Sequence, residues 1–451
     1  MKTLLDKVPV AIRSVDISRE LLAIDDLSNY PACRVYVFLG TRLLGMVDIE
    51  NSRQAISPAC LRDAIADQLG WQLGSLCLGD HPYQPELSLI ERKVPALPAT
   101  AGPSRLPASV SVSIALATFD RPEQLQECLK ALCKQESPRR IEVVVIDNHP
   151  SSGLTPPVVA DFPGVVLVSE VRQGLAYARN AGFVHSSGDI VIATDDDVIM
   201  PPDWVEKLVA PFERSDVGVV TGNVLPRELE TESQCLFEAY GGLGRGFNRM
   251  EVGPSWLRTS RRRAAPTWKL GATANAAFRA AVFRDPKIGL MDEALGPGMP
   301  SGVGEDTYLF YKIIKAGYSL VYQPDAYVWH THRRDRKALR KQIYNYSKGH
   351  VAYHLTTLLH NGDRRALFRL LVELPHSYLK RIYQRLRGRS VYPVSLILLE
   401  IRGNLEGPFS LWRSRRRVGR EGRSQFPVAT GSGLPAGIMS SDTGPGVTGD
   451  T

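Results

Sequence analysis

The sequence predicts an α/β protein with a mostly parallel central sheet, preceded by a small α+β domain and followed by basic helices. Two observations support this prediction. From Val110 onward, apolar β-branched segments alternate with helical segments at the spacing of strand–helix–strand crossovers. The segment Ile190 to Ile192, which leads into three consecutive acids, is apolar without alternation, as is typical of a strand covered on both faces.

The composition is that of a globular protein. The chain has 451 residues, of which 43% are hydrophobic and 23% charged, so we expect more than one folded unit. No apolar run approaches the ~20 residues of a membrane span, and residues 1–19 lack the apolar core of a signal peptide. The six cysteines have no CxxC spacing, which predicts reduced thiols and a cytoplasmic location.

Pattern and composition divide the chain into five parts. We expect a small α+β domain (1–81), a proline-rich linker (82–109), an α/β domain (110–335), basic helices (336–425) and a disordered tail (426–451). In the first part, a hairpin over residues 34–49 precedes a helix that begins at Ser57-Pro58. Residues 227–265 are rich in Gly and Arg and are predicted to form an irregular, mobile loop.

The acidic triplet is the first candidate site. Ligands bind at the carboxyl ends of strands in open α/β sheets, which is where Asp195, Asp196 and Asp197 fall. With a side-chain period of two, Asp195 and Asp197 share one direction and Asp196 points away. Two hard carboxylates on one side favour Mg²⁺ or Mn²⁺, and hence a phosphate ligand. A solvated surface loop is the alternative interpretation.

Six motifs occur in register between Val112 and His330: Ala117-Thr118-Phe119-Asp120-Arg121-Pro122, Val145-Ile146-Asp147-Asn148, Gly174-Leu175-Ala176-Tyr177-Ala178-Arg179-Asn180-Ala181-Gly182, Asp195-x-Asp197, Gly304-Glu305-Asp306, and Pro324 to His330. Together they resemble the family 2 glycosyltransferases, nucleotide-sugar-dependent enzymes with a GT-A fold. The resemblance covers about half the chain. It implies a metal-dependent inverting glycosyltransferase that uses a nucleoside-diphosphate sugar, with UDP or dTDP favoured, and a glycan or lipid-linked acceptor in cell-surface polysaccharide or glycolipid synthesis.

The resemblance also implies roles for individual residues. The donor would be bound by Thr118, Arg121, Asp147, Arg179, Asp195, Asn275 and Glu305. Asp147 would accept from the imide N–H of a uracil or thymine-like base. For Arg179 a surface position, and for Asn275 a turn cap, are equally open interpretations.

The resemblance implies a metal site and a base as well. Asp195, Asp197 and His330 would hold Mg²⁺ or Mn²⁺ on the diphosphate, although a lone His at a strand end is more often structural. Asp306 would be the catalytic base of an inverting enzyme. Glu305 and Asp306 are alternatively simple helix caps, but the glycine-rich lead-in 296–304 favours a substrate-lining loop. Val198 departs from the commonest pattern, where another acid follows Asp197.

The net charge of +8 concentrates after residue 257 and favours a polyanionic partner. The basic, leucine-containing helices over 337–389 fit an anionic membrane surface at the inner face of the cell membrane, or a helix packed on the α/β domain. No base-stacking platform accompanies the arginines, so we expect no nucleic-acid partner. Two other functions stay open: a sugar-1-phosphate nucleotidyltransferase, and a non-catalytic membrane- or nucleic-acid-binding relative.

Overall fold

A computed structural model of the chain describes residues 7–78, 106–388 and 392–427. Most of the predicted linker and tail therefore lies outside the described residues. The first described unit is a three-stranded sheet of β1 (Val10–Asp16), β2 (Ala32–Leu39) and β3 (Arg42–Glu50), with β1 parallel and β3 antiparallel to β2. Helix α1 (Pro58–Leu78) covers this sheet. The predicted hairpin and helix are confirmed, whereas β1 was not predicted.

The second sheet has nine strands and contains the predicted parallel segment. Its order is β10-β12-β9-β11-β7-β4-β5-β6, and β8 pairs with β12. The neighbours β7, β4, β5 and β6 are parallel, while β11 runs antiparallel between β7 and β9. The strands are β4 (Val112–Thr118), β5 (Ile141–Asp147), β6 (Val165–Ser169), β7 (Ile190–Asp195), β8 (Val198–Ile199), β9 (Val217–Pro226), β10 (Met250–Val252), β11 (Asn275–Arg279) and β12 (Ser319–His330).

Helices cover both faces of this sheet because alternate side chains of its strands point to opposite faces. On β4, Ile114 and Leu116 pack towards one core, while Ala115 and Ala117 pack towards the other. The helices before residue 330 are α2 (Pro122–Leu132), α3 (Thr155–Ala160), α4 (Leu175–His185), α5 (Trp204–Val209), α6 (Glu232–Tyr240) and α7 (Glu305–Ala316). The carboxyl ends of β4, β5 and β7 therefore meet at one edge, beside the start of α7.

Residues 227–265 are only in part the irregular loop that we expected. They include α6 and strand β10. The Thr231 side chain accepts a hydrogen bond from the Gln234 backbone, and the Gln234 side chain accepts one from the Thr231 backbone, which is a capping box. The Thr-x-x-Gln signal was present in the sequence, but the surrounding glycines and arginines masked it.

The chain ends in a set of long helices: α8 (Arg336–Asn361), α9 (Arg365–Phe368), α10 (Leu374–Leu386) and α11 (Val394–Glu421). A π-helical turn, Arg369–Glu373, links α9 to α10. Helix α11 packs closely on α8, since a Cβ on Gly407 would come within 2.6 Å of Val351. Among the described residues, no helix is both long enough and apolar enough to cross a bilayer.

Candidate functional site

A cavity of about 1510 Å³ runs from the carboxyl edge of the nine-stranded sheet to the C-terminal helices. It begins at the ends of β4 and β7, passes the first turn of α7, and ends among α8, α10 and α11. Eight of the predicted site residues line it: Thr118, Arg121, Arg179, Asp195, Asp197, Glu305, Asp306 and His330. The structure thus brings together residues separated by up to 212 positions in the sequence.

The turn between β7 and β8 places the acids differently from our prediction. Asp196 and Asp197 share the guanidinium of Arg121, whose Nη1 lies 2.9 Å and 2.8 Å from their oxygens. Asp195 instead pairs with Arg179 at 2.6 Å. The expected shared direction of Asp195 and Asp197 was wrong because strand alternation ends at Asp195, where the turn begins. Asp196, expected to point away, also accepts from the Thr118 hydroxyl at 2.8 Å.

His330 reaches Asp197 because β8 and β12 are paired. Val198 lies opposite His330 in that ladder, and the His330 Nε2 atom is 3.3 Å from Asp197 Oδ1. Burial would raise the pKa of Asp197, but His330 and Arg121 lower it below the usual range of a carboxyl. Burial has the larger effect at Asp196 and raises its pKa, against the opposing charge of Arg121.

The fit of these residues to a divalent cation is partial. Within the described ranges, no three His, Cys, Asp or Glu side chains are arranged to hold a metal ion. The predicted trio is therefore not assembled, since Asp195 is held by Arg179. Asp197 and His330 do fit, because Asp197 Oδ1 is buried without a hydrogen-bond partner beside an imidazole nitrogen. Mg²⁺ sites that use one or two protein ligands take their other oxygens from phosphates and water.

Arg179 is not a surface residue, and two of its nitrogens already contact carboxylates. It is 2% exposed and joins Asp195 to Glu305, which lies 3.2 Å from its Nη1 atom. Burial, with Asp306 nearby, raises the pKa of Glu305, and Arg179 opposes this shift. Arg179 and Glu305 therefore connect the acid cluster to the start of α7 instead of offering free donor-binding groups.

Asp306 lies in the first turn of α7 and faces the cavity. Its Oδ1 atom accepts from the Thr307 backbone N–H at 2.6 Å and from the Thr307 hydroxyl at 3.1 Å. No ion-pair partner lies within 4 Å of Asp306 in the described part of the chain. The preceding Gly302 has φ 99°, and a Cβ there would come within 2.2 Å of the Asn345 carbonyl oxygen. The loop therefore requires glycine at this point.

The end of β4 and Asn148, which follows β5, line the donor end of the cavity. Asp147, at the end of β5, is buried beside this end but does not line it. It accepts from the His149 backbone N–H at 2.9 Å, and its Oδ2 atom has no hydrogen-bond partner among the described residues. Phe119 is 43% exposed and stacks on the His149 ring at a centroid distance of 5.0 Å. Asn148, which the motif contained but to which we assigned no role, accepts from the Gly174 N–H at 2.8 Å and so ties this loop to α4.

Asn275 does not reach the cavity. It is fully buried, and its Nδ2 donates to the carbonyls of Asn223 and Ala326, both at 2.8 Å. Its Oδ1 accepts from Trp204 Nε1 at 2.9 Å. Because these partners use the amide fully, Asn275 fixes the sheet and its assignment as a donor-binding residue is corrected.

Comparison with known proteins gives one consistent match. Residues 113–286 match the model of the family described as Glycosyl transferase family 2. An N-acetylglucosaminyltransferase of Bradyrhizobium diazoefficiens is 27% identical over 218 residues, which are 46% of this chain and 42% of that protein. The glycosyltransferase AglE of Haloferax volcanii is 28% identical over 248 residues, which are 53% of this chain and 73% of AglE.

The solved structures include a mannosyltransferase from Pyrobaculum calidifontis in complex with GDP-mannose and Mn²⁺. It is 17% identical, covers 78% of this chain and 96% of its own, and has a TM-score of 0.46. The chain spans less than half the length of the Bradyrhizobium N-acetylglucosaminyltransferase and about three quarters of the length of AglE.

Proposed function

Because residues 113–286 match glycosyltransferase family 2, we propose that the chain is an inverting, metal-dependent glycosyltransferase of glycan synthesis. One observation supports the proposal above all others. A single cavity joins a carboxylate cluster at the strand ends to an unpaired carboxylate, Asp306, at a helix start. The match to a glycosyltransferase family argues against the nucleotidyltransferase and the non-catalytic alternatives.

The donor nucleoside would lie at the ends of β4 and β5. The exposed face of Phe119 offers a surface for the base, and the unpartnered Oδ2 of Asp147 is an acceptor for an imide N–H. Uracil and thymine carry that N–H, so we propose a UDP- or dTDP-sugar. Thr118, whose hydroxyl donates to Asp196, would act through that acid.

The diphosphate would lie over Asp197 and His330, which would hold Mg²⁺ or Mn²⁺ together with the phosphate oxygens. When bound, the cation neutralises the charge that develops on the departing nucleoside diphosphate. Arg121 and Arg333 add positive charge here. Arg333 is 44% exposed in its side chain and lies 4.0 Å from Asp197, so it is free to turn towards a phosphate. Asp195, held by Arg179, would face the ribose.

Asp306 would serve as the general base. A carboxylate facing the cavity can accept the proton of an acceptor hydroxyl while that oxygen attacks the anomeric carbon. The bond to the diphosphate breaks on the opposite side, which inverts the configuration of the sugar. The absence of an arginine partner within the described residues leaves the second oxygen of Asp306 available for this transfer.

The acceptor would occupy the far end of the cavity. The side chains there combine aromatic faces with hydrogen-bonding groups, as carbohydrate sites require: Tyr240, Tyr346, Tyr378, Gln342 and Asn404. Tyr378 lies on α10 and Asn404 on α11, and the Asn404 amide donates to the Tyr378 hydroxyl at 2.6 Å. The two helices thus form one wall of the proposed acceptor site.

The outer faces of these helices suit a membrane surface. Large apolar side chains spaced by three, four or seven residues are at least half exposed on each helix: Leu379, Tyr383 and Leu386 on α10, and Leu398, Leu405, Phe409 and Trp412 on α11. The acids of this region already have partners, namely Arg365 for Asp363, Arg369 for Glu373, Arg381 for Glu400, Tyr344 for Glu406 and Arg417 for Glu421.

The exposed charge beside those apolar side chains is therefore basic. Lys380, Arg387, Arg413 and Arg416 are all exposed. We propose that α10 and α11 lie on the anionic cytoplasmic leaflet, which would bring a lipid-linked acceptor to the cavity.

Vesicle flotation tests the membrane contact. Leu379→Glu combined with Leu405→Glu is expected to lower binding to phosphatidylglycerol-containing vesicles at least ~10-fold, because two apolar anchors become anionic. Leu22→Glu alters a leucine that is 71% exposed on the first domain and serves as the matched control. Equal flotation of the double variant and the wild type would contradict the proposal.

Calorimetric titration of UDP-, dTDP- and GDP-sugars, each with Mn²⁺ and with EDTA, tests the proposed donor. We expect tighter binding with Mn²⁺ for a uridine or thymidine donor. A guanosine donor alone would refute the proposed uridine or thymidine donor, and binding that EDTA does not change would refute the metal.

A further inference from the structure

A chain of buried polar contacts links the first domain to the acid cluster. Arg34, on β2, donates to both oxygens of Asp48 at 2.8 Å and 2.9 Å and lies 3.4 Å from Glu238 on α6. Glu238 lies 2.9 Å from His332 Nε2. The Nδ1 atoms of His332 and His330 are 2.8 Å apart, and His330 reaches Asp197.

The chemistry of each group fixes the direction of these hydrogen bonds. A guanidinium only donates and a carboxylate only accepts, so Glu238 accepts from Arg34 and from His332 Nε2–H. A neutral imidazole carries one proton, which leaves His332 Nδ1 as an acceptor. The proton between the two rings therefore belongs to His330 Nδ1. With a cation at Asp197, neutral His330 would therefore be the tautomer that offers its Nε2 lone pair to that cation.

Arg34 is placed so that it can act only through Glu238. It is 5% exposed, and Asp48 fixes two of its nitrogens. Gly242 leaves room for Glu238, since a Cβ there would come within 2.4 Å of Glu238 Oε1. The two domains also meet through apolar contacts, including Tyr36 with Trp329 at a ring distance of 5.0 Å. The polar chain is therefore not the only contact that docks the first domain.

We propose that Arg34 and Glu238 are positioning residues, which set, through His332, the tautomer in which His330 offers Nε2 to the cation at Asp197. The first domain thus contributes to the donor site of the second. This inference rests on the metal site of the proposed function. Replacing the hydrogen-bond partner of a metal-ligating histidine typically lowers the metal affinity by about 10- to 100-fold.

The test reverses the order of donors and acceptors along this series of hydrogen bonds. In Glu238→Gln, the amide oxygen would face Arg34, because that side chain only donates, and the amide NH₂ would face His332 Nε2. The proton order then inverts and His330 Nε2 becomes a donor. We expect the affinity for Mn²⁺, measured by calorimetry with UDP present, to fall at least ~10-fold, while UDP binding in EDTA stays unchanged.

A second replacement should restore binding. In Arg34→Met with Glu238→Gln, the amide is free to turn its oxygen to His332, so Mn²⁺ affinity should rise above that of Glu238→Gln alone. Arg13→Met, which breaks the Arg13–Asp26 pair of the same domain, is the control and should match the wild type. If Arg34 and Glu238 only held the two domains together, removing both would disturb the site most, and the double variant would have the lowest Mn²⁺ affinity. That order, or wild-type affinity in Glu238→Gln, would overturn the inference.

A measurement on the wild type covers the case in which a variant does not fold. Nitrogen-15 spectra of histidine-labelled, metal-free protein at pH 8.5 should place the His332 proton on Nε2, which faces Glu238, and a His332 proton on Nδ1 would overturn the inference. If wild-type donor binding does not respond to Mn²⁺ at all, the proposed metal fails. If Mn²⁺ tightens donor binding equally in the wild type and in Glu238→Gln, the metal site stands and only the positioning role of Glu238 fails.

Discussion

The two ends of the central cavity differ in how they hold charge. At the donor end, Arg121 forms ion pairs with Asp196 and Asp197, and Arg179 forms one with Asp195. At the acceptor end, Asp306 and Arg245 line the same cavity, yet neither has an ion-pair partner within the described residues. Arg245 donates to the carbonyls of Gly242 and Gly244, and burial lowers its pKa.

This difference matches two kinds of chemistry. A site for a diphosphate needs cations that are already in place, and paired acids keep those cations buried until the ligand arrives. A general base needs an oxygen that no cation occupies. Under the proposed function, the paired groups would bind the diphosphate and the unpaired carboxylate would accept the proton.

Asp306→Asn removes the unpaired carboxylate and tests the comparison most strongly. We expect turnover to fall at least ~100-fold, the scale of lost general-base catalysis, while donor affinity stays within about twofold. Steady-state transfer and calorimetric donor binding measure the two quantities. Asp161→Asn, at an exposed acid beyond α3, is the matched control. Wild-type turnover in Asp306→Asn would assign the base to another residue.

Much of the donor end was predictable from local patterns. The strand ends that place Thr118, Asp147 and Asp195 followed from apolar runs of the length of a strand. The contact between Asp197 and His330 was implied by the family resemblance and is observed at 3.3 Å. Such features depend on short segments, or on motifs whose order along the chain repeats in related proteins.

The pairing of charges was not predictable from the same patterns. Arg179 and Glu305 are 126 positions apart, and Arg34 and Glu238 are 204 positions apart. Neither pair has a local signal, because contacts at that separation depend on how helices and domains pack. Asn275 was misassigned for the same reason: its three partners lie on other elements, and only the packed sheet brings them to it.

Replacing one acid at a time sharpens the comparison within the donor end. Asp197→Ala should abolish the effect of Mn²⁺ on donor binding, a loss of at least ~10-fold, because Asp197 lies beside His330. Asp195→Ala should keep that effect, since Asp195 is paired with Arg179 instead. Calorimetry with Mn²⁺ and with EDTA separates the two variants. If Mn²⁺ still tightens donor binding in Asp197→Ala, the cation lies elsewhere.

Two histidine pairs extend the comparison to the walls of the cavity. His330 and His332 each contact a carboxylate, Asp197 and Glu238. Among the described residues, His350 and His354 on α8 contact no carboxylate, and His354 has no hydrogen-bond partner at either nitrogen. Burial, with Arg369 nearby, lowers the pKa of His350 to about 3, and burial with His350 nearby lowers that of His354. This second pair is therefore neutral in the folded protein.

The neutral pair predicts a specific loss of stability in acid. Both histidines keep their ordinary pKa near 6.5 when unfolded, so below that pH the unfolded state binds more protons and the free energy of unfolding falls. At pH 5.5 each histidine should cost about 1.4 kcal/mol relative to pH 8. His354→Leu removes one of these protons, so its free energy of unfolding should fall less steeply between pH 6.5 and 5, as measured by urea denaturation. Exposed His376→Leu is the control and should leave the slope unchanged. Parallel slopes in His354→Leu and the wild type would mean that His354 is not neutral in the folded state.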